Sequence, residues 1–104
     1  MLEGYPMGVY DGLIVHSSSI IVVVNQAAAD MFGYEKEEMY GMNSWQLFSP
    51  KCVQAIMQHL LEKSEEPYRV TALTKEKTEF ELGMKGRDFE VDYEPVRLVL
   101  NRQV

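Results

Sequence analysis

Asn25-Gln-Ala-Ala-Ala-Asp30-Met-Phe-Gly33-Tyr-Glu35-Lys-Glu-Glu-Met39-Tyr-Gly41 is the stretch whose reading decides the fold. Asn25 is placed to cap the free amides of a short helix, Gly33 to end it in a left-handed conformation, and Gly41 to stop a second, acidic one. Helices under roughly 12 residues are marginal in water alone, because nucleation is costly. These two must lean on a surface, and the apolar runs around them read as strands of a sheet.

Upstream, Gly12-Leu13-Ile14-Val15-His16 and Ile20-Ile21-Val22-Val23-Val24 flank Ser17-Ser18-Ser19, which predicts a β-hairpin with a three-residue loop. The second run is apolar on both faces, which predicts an interior strand. Gly4, Pro6 and Gly8 make residues 1–8 an extended lead-in to a single domain over 9–104.

Downstream, Met42 to Phe48 reads as one loose turn carrying Trp45, Leu47 and Phe48 inward. Ser49-Pro50 then starts the longest helix, with Ser as cap and Pro at the first position. Val53, Ile56, Met57, Leu60 and Leu61 form its apolar stripe, and it ends near Ser64. From Tyr68 the pattern has period two: Tyr68, Val70 and Ala72 share one face, as do Phe80, Leu82 and Met84 against Glu79, Glu81 and Lys85. Lys75-Glu76-Lys77 joins those strands. Gly86 reads as a bulge or bend, after which Phe89 and Val91 continue against Asp88, Glu90 and Asp92. A turn at Asp92 to Pro95 leads to a last strand, Val96 to Asn101. The sum is an α+β domain: a five-stranded antiparallel sheet with several short helices and one longer helix packed on one face.

At 104 residues the chain can bury one core without staples. Its formal net charge of −6 argues against a nucleic-acid or anionic-membrane partner, both of which select Lys/Arg surplus. Cys52 is the only cysteine, so no intrachain disulfide or redox dithiol can form. The longest apolar run, Ile20 to Val24, is far short of the roughly 20 residues of a membrane helix. A cytoplasmic domain is the expectation.

In order and spacing, a set of corners resembles the PAS domain, the sensory module of bacterial kinases, cyclases and transcriptional regulators. They are Asp11-Gly12, Val24-Asn25 with Ala27-Ala28, Met31-Phe32-Gly33-Tyr34, Glu37-Glu38, Gly41, Glu66-Pro67-Tyr68 and Pro95-Val96-Arg97, spanning residues 9 to 100. The resemblance implies a non-enzymatic signalling module, an adjoining output domain, and a homodimer through the outer sheet face and lead-in. Arg69, Glu79, Glu81 and Lys85 on that face suggest a modest interface. Three positions depart from the family: Glu76-Lys77 replaces Asp-Gly in the turn after the third strand, Tyr93 replaces a glycine in the last hairpin, and Asn101-Arg102-Gln103-Val104 replaces the Arg-Asp-Ile-Thr that helps relay signal.

The resemblance also names cofactors to weigh. Heme-binding members use a histidine on the long helix, at a position that corresponds here to Gln54 or Ala55; His59 points away from the apolar stripe and reads as solvent-facing, and His16 as structural. Flavin photoreceptors of the family form a cysteine adduct where this chain has Ser44, which excludes that photochemistry. Non-covalent flavin stays open, with Asn43 and Trp45 to hydrogen-bond or stack, although Asn43 as a cap and Trp45 as core is the plainer reading. Two distant histidines make no metal site, Cys52 reads as an inert, partly exposed thiol, and no nucleophile–base pair is legible. What remains is an apolar lining, Met31, Met39, Asn43, Trp45, Met57, Leu60, Leu82 and Met84, around a space that either holds a small apolar ligand or closes into core. The closed core is the favoured alternative.

Overall fold

A computed structural model of the chain describes residues 10–104. Five strands, β1 (Gly12–Ser17), β2 (Ile20–Val24), β3 (Tyr68–Leu73), β4 (Glu79–Val91) and β5 (Glu94–Gln103), form one antiparallel sheet in the order β2-β1-β5-β4-β3. Between β2 and β3 lie α1 (Gln26–Phe32), α2 (Lys36–Met39), 3-10 turns at Ser44–Leu47 and Pro50–Cys52, and α3 (Val53–Glu62). The α+β architecture expected from the sequence is the observed one. The expected lead-in over 1–8 lies outside the described residues.

Asn25 ties the first helix to the sheet. Its Oδ1 accepts from the Leu13 amide at 2.9 Å and the Ala28 amide at 3.0 Å, while its Nδ2 donates to the Asp11 carbonyl at 2.8 Å. Gly33 closes α1 in the left-handed region, its amide donating to the carbonyls of Ala29 and Asp30. The apolar face so positioned is buried: Ala28, Ala29 and Phe32 are sealed against Ile14, Val24 and Ala72, with Phe32 edge-on to Phe80 at 5.4 Å. Glu38 accepts from the Glu35 amide at 2.8 Å, and its carboxylate pairs with Lys75 at 2.6 Å, linking α2 to the β3–β4 turn.

Four expectations are corrected. β2 is an edge strand, not an interior one. Its inner residues Ile21 and Val24 are core, whereas Val22 and Val23 face solvent at 46% and 44% exposure. The edge is blunted by the segment that follows α2: the Ile21 amide donates to Met42 O and the Gly41 amide to Ile21 O, both at 2.9 Å.

The β1–β2 loop has two residues, Ser18 and Ser19, both at positive φ, and the irregularity in the sheet falls where β1 meets β2, between Val15 and His16. Gly86 makes no bulge. β4 pairs with β5 without a break from Leu82↔Gln103 to Val91↔Glu94, so the side-chain phase never flips. Asp88 therefore lands on the helix-facing side, and Phe89 and Val91 on the outer face, 44% and 56% exposed.

The Ser49–Pro50 start opens a 3-10 turn without a side-chain cap, and α3 ends at Lys63 in the left-handed region. Its buried side carries Ile56 and the partly buried Leu60 and His59; Met57 and Leu61 are exposed.

Candidate functional site: a cavity with a polar floor

The helices do not close completely on the sheet. Between α3, the Ser44–Leu47 turn and the inner face of β1, β5, β4 and β3 lies a cavity of about 60 Å³. Trp45, Leu47, Phe48, Ile56 and Leu60 form its apolar roof; Ile14, Met84 and Val99 form the apolar part of its floor.

The rest of the floor is polar because of the phase of β5. Arg97, Val99 and Asn101 point inward, while Val96, Leu98 and Leu100 point out. In register, His16 of β1, Arg97 of β5 and Asp88 of β4 form one row across three strands, and Gly12, Asn101, Met84 and Tyr68 form another across four. The pair Val99–Gly86 lies between the rows.

Arg97 is only 8% exposed. Its Nη1 donates to Asp88 Oδ1 at 2.9 Å, but Nη2 is buried with no partner among the described residues. The guanidinium has space because it lies over Gly86, where a Cβ would stand 2.5 Å from Nη2. Asn101 is 1% exposed, and its amide donates to Val99 O at 3.2 Å and Gly12 O at 3.4 Å, leaving Oδ1 unpartnered. His16 Nδ1 is likewise buried and unpartnered.

Burial and, secondarily, the positive charge of Arg97 hold the His16 imidazole below its ordinary pKa of 6.5, with Asp88 pulling the other way. Burial pushes the Tyr68 phenol up against a smaller opposing pull from Arg97. Leaving a buried donor unpaired costs about 1–3 kcal/mol, more for a charged one. Three unpaired polar atoms at one cavity, Arg97 Nη2, His16 Nδ1 and the acceptor Asn101 Oδ1, mark a site incompletely satisfied by the chain itself.

Of the residues singled out from the sequence, Trp45, Leu60 and Met84 meet at this cavity. Met39 and Leu82 are fully buried in the main core, and Met31 packs beside Gly12. Met57 faces solvent at 48% exposure. Asn43 is an exposed cap, its Oδ1 accepting from the Trp45 amide at 2.9 Å. His59 is not solvent-facing; its ring stacks on Tyr68 at 3.7 Å between centroids. Cys52 Sγ accepts from the Thr71 amide at 3.1 Å. His16, Tyr68, Arg97 and Asn101 were not anticipated as a group. The signal for two of them was Arg97 and Asn101 sharing the parity of Val99 on β5.

The family model described as "PAS domain" matches residues 9–100. The chain belongs to the PAS domain family. Among solved structures, this PAS chain is similar to a PAS domain from a two-component sensor histidine kinase, at 14% identity and TM-score 0.79, covering 93% of this chain and 87% of the other. It is also similar to a light-oxygen-voltage domain studied with a flavin analogue, at 18% identity and TM-score 0.73, covering 89% and 76%. A third likeness is to the PAS-B domain of Drosophila melanogaster Cycle with bound ethylene glycol, at 17% identity and TM-score 0.74, covering 89% and 99%. At these identities the likeness is one of fold. No curated protein matches the sequence.

The residues of this PAS domain do not fit the larger cofactors of the family. Pockets for drug-sized ligands run to roughly 300–1,000 Å³, several times the cavity here. Ser44, an alcohol, stands in its wall where a flavin adduct needs a thiol, and His59 is committed to Tyr68. Among the described residues no cluster of His, Cys, Asp and Glu is arranged for a metal ion, and no helix is long and apolar enough to cross a membrane.

Proposed function

We propose that this PAS domain is a non-enzymatic, cytoplasmic sensory and protein-interaction module that takes a small ligand into the cavity and passes the effect through its sheet to an adjoining output domain. The supporting observation is that the floor of the cavity is β5, the central strand, hydrogen-bonded to both β1 and β4. The opposite side of β5 presents Val96, Leu98 and Leu100 on the outer face, next to Leu13, Val15 and Phe89. Charged residues on that face, Arg69, Glu79, Glu81, Lys85 and Arg87, belong to β3 and β4, and Arg102 stands at the far end of β5, so the middle of the β1–β5 half is the apolar part suited to a homodimer contact. A ligand shifts output only by its differential affinity for two arrangements of the sheet or dimer.

Native mass spectrometry of freshly purified protein is the test. A small bound molecule, with a subunit count that changes on its removal, is expected. A ligand-free protein whose association state ignores every small molecule offered would overturn the reading. Visible absorbance from a tightly bound chromophore would favour a flavin or heme sensor instead.

A further inference from the structure

The floor of the cavity carries more chemistry than an apolar ligand needs. Among the described residues, Arg97 is the only formally charged one lining it, in a chain whose net charge is −6. A guanidinium keeps its charge at any physiological pH and is built to grip a carboxylate with two donors. Here one donor is used, by Asp88, whose side chain is 61% exposed at the rim. The other, Nη2, is buried over Gly86 without a hydrogen-bond partner among the described residues, with the Tyr68 phenol close enough to feel the guanidinium.

His16 presents a second buried, unpartnered nitrogen beside it, since His16 and Arg97 are direct cross-strand neighbours. Asn101 Oδ1 is the complementary orphan, an acceptor wanting a donor. The guanidinium lies over Gly86, one pair along the strands from Asn101. That is a separation of roughly 7 Å along the strand, which a three-carbon skeleton and a hydrogen bond at each end can span. By volume, about 60 Å³ is room for roughly two to four waters, which limits a guest to the smallest organic acids.

Resting on the ligand-sensing reading above, we infer that the cavity binds a small hydroxy-carboxylate, its carboxylate on Arg97 Nη2 with His16 alongside, its hydroxyl donating to Asn101 Oδ1, and its short carbon skeleton under Trp45 and Leu60.

Three probes of nearly one shape test this: lactate, propionate, which lacks the hydroxyl, and lactamide, which lacks the charge. In calorimetric titrations and thermal-shift measurements on the full chain, lactate is expected to bind and to raise Tm. Propionate is expected to bind about tenfold more weakly, and lactamide not to bind. Arg97→Met, which keeps the length and apolar stem, is expected to fold and to abolish the lactate response. Asn101→Leu is expected to bring lactate down to the propionate level; if it fails to fold, the lactate–propionate comparison in the unaltered chain carries the same question.

Equal binding of lactate and lactamide, an undiminished lactate response in Arg97→Met, or equal responses to lactate, nitrate and chloride would each overturn the inference. Binding of neutral small molecules with no response to carboxylates would overturn it and leave the ligand-sensing reading standing. No response to any probe, together with ligand-free protein in native mass spectrometry, would remove both.

Discussion

Gly86 and Arg97 occupy one another's space: the guanidinium of the β5 residue lies where the β4 residue would carry its Cβ, at 2.5 Å from Nη2. Gly86→Ala is therefore expected to displace Arg97 and to destabilise the domain by about 1–3 kcal/mol, the usual range for overpacking. In an Arg97→Met background the same change is expected to be neutral or stabilising, since Ala is favoured over Gly within a strand by roughly 0.5–1 kcal/mol. A double-mutant cycle by urea denaturation measures the coupling; additivity would mean that the two residues do not compete.

Asn25 makes three hydrogen bonds that join β1 to the start of α1. Asn25→Ala is expected to cost about 2–3 kcal/mol, more than an ordinary cap. Asn25→Asp keeps the acceptor but faces the Asp11 carbonyl without a donor, and should fall between the two. Denaturation midpoints in urea rank them.

Two non-glycine residues sit in the left-handed region where the family uses glycine: Lys77 at φ 70° and Tyr93 at φ 69°, the latter 94% exposed. Lys77→Gly and Tyr93→Gly are each expected to stabilise by about 1 kcal/mol, because the side chains contribute little and the backbone strain is relieved. The increments should add, as the turns are remote from one another. Unchanged or lowered thermal midpoints would show that the side chains matter more than the strain.

His16 predicts an acid-side loss of stability. With its folded pKa below 6.5, the unfolded imidazole takes up a proton first as pH falls, so the unfolded state binds more protons and stability drops below pH 6.5. The full contribution is present above that pH. Burial sets it first and the Arg97 charge second, with Asp88 opposing both. His16→Gln should lose less stability than the parent between pH 7 and about pH 5, by a fraction of a kcal/mol after allowing for screening at a half-buried site. Urea titrations of both proteins across that range give the difference; parallel pH profiles would count against it.

Capping and spacing made the helices and the antiparallel run of β3, β4 and β5 legible, since Asn25, Gly33 and the alternation through β3 and early β4 act locally. Position within the sheet was not. β2 looks interior because its inner residues pack on α1 and α2 while Val22 and Val23 simply remain exposed, and composition alone does not distinguish that from two covered faces. The cavity floor was hidden by two linked features. A glycine in a strand reads as a bulge, yet Gly86 exists to admit a side chain from the next strand, and that turns Asp88 inward and Phe89 outward. On β5 the more apolar parity, Val96, Leu98 and Leu100, faces out, so hydrophobicity points to the wrong side. His59 was misplaced because a helical wheel has no term for a ring stacked on Tyr68.

The unequal lengths of β3 and β4 leave one more mark on the molecule. β3 begins at Tyr68, opposite Met84, so among the described residues β4 from Lys85 to Val91 has β5 on one side and no strand on the other. Among the described residues, the Glu65 carboxylate reaches across that open side, 3.6 Å from Arg87 Nε. Amide protons of this arm that point away from β5 will trade with solvent far sooner than those of the Tyr68–Leu73 ladder. The arm is thus less protected than the β3 ladder, and it carries Asp88, the exposed partner of the guanidinium in the cavity floor.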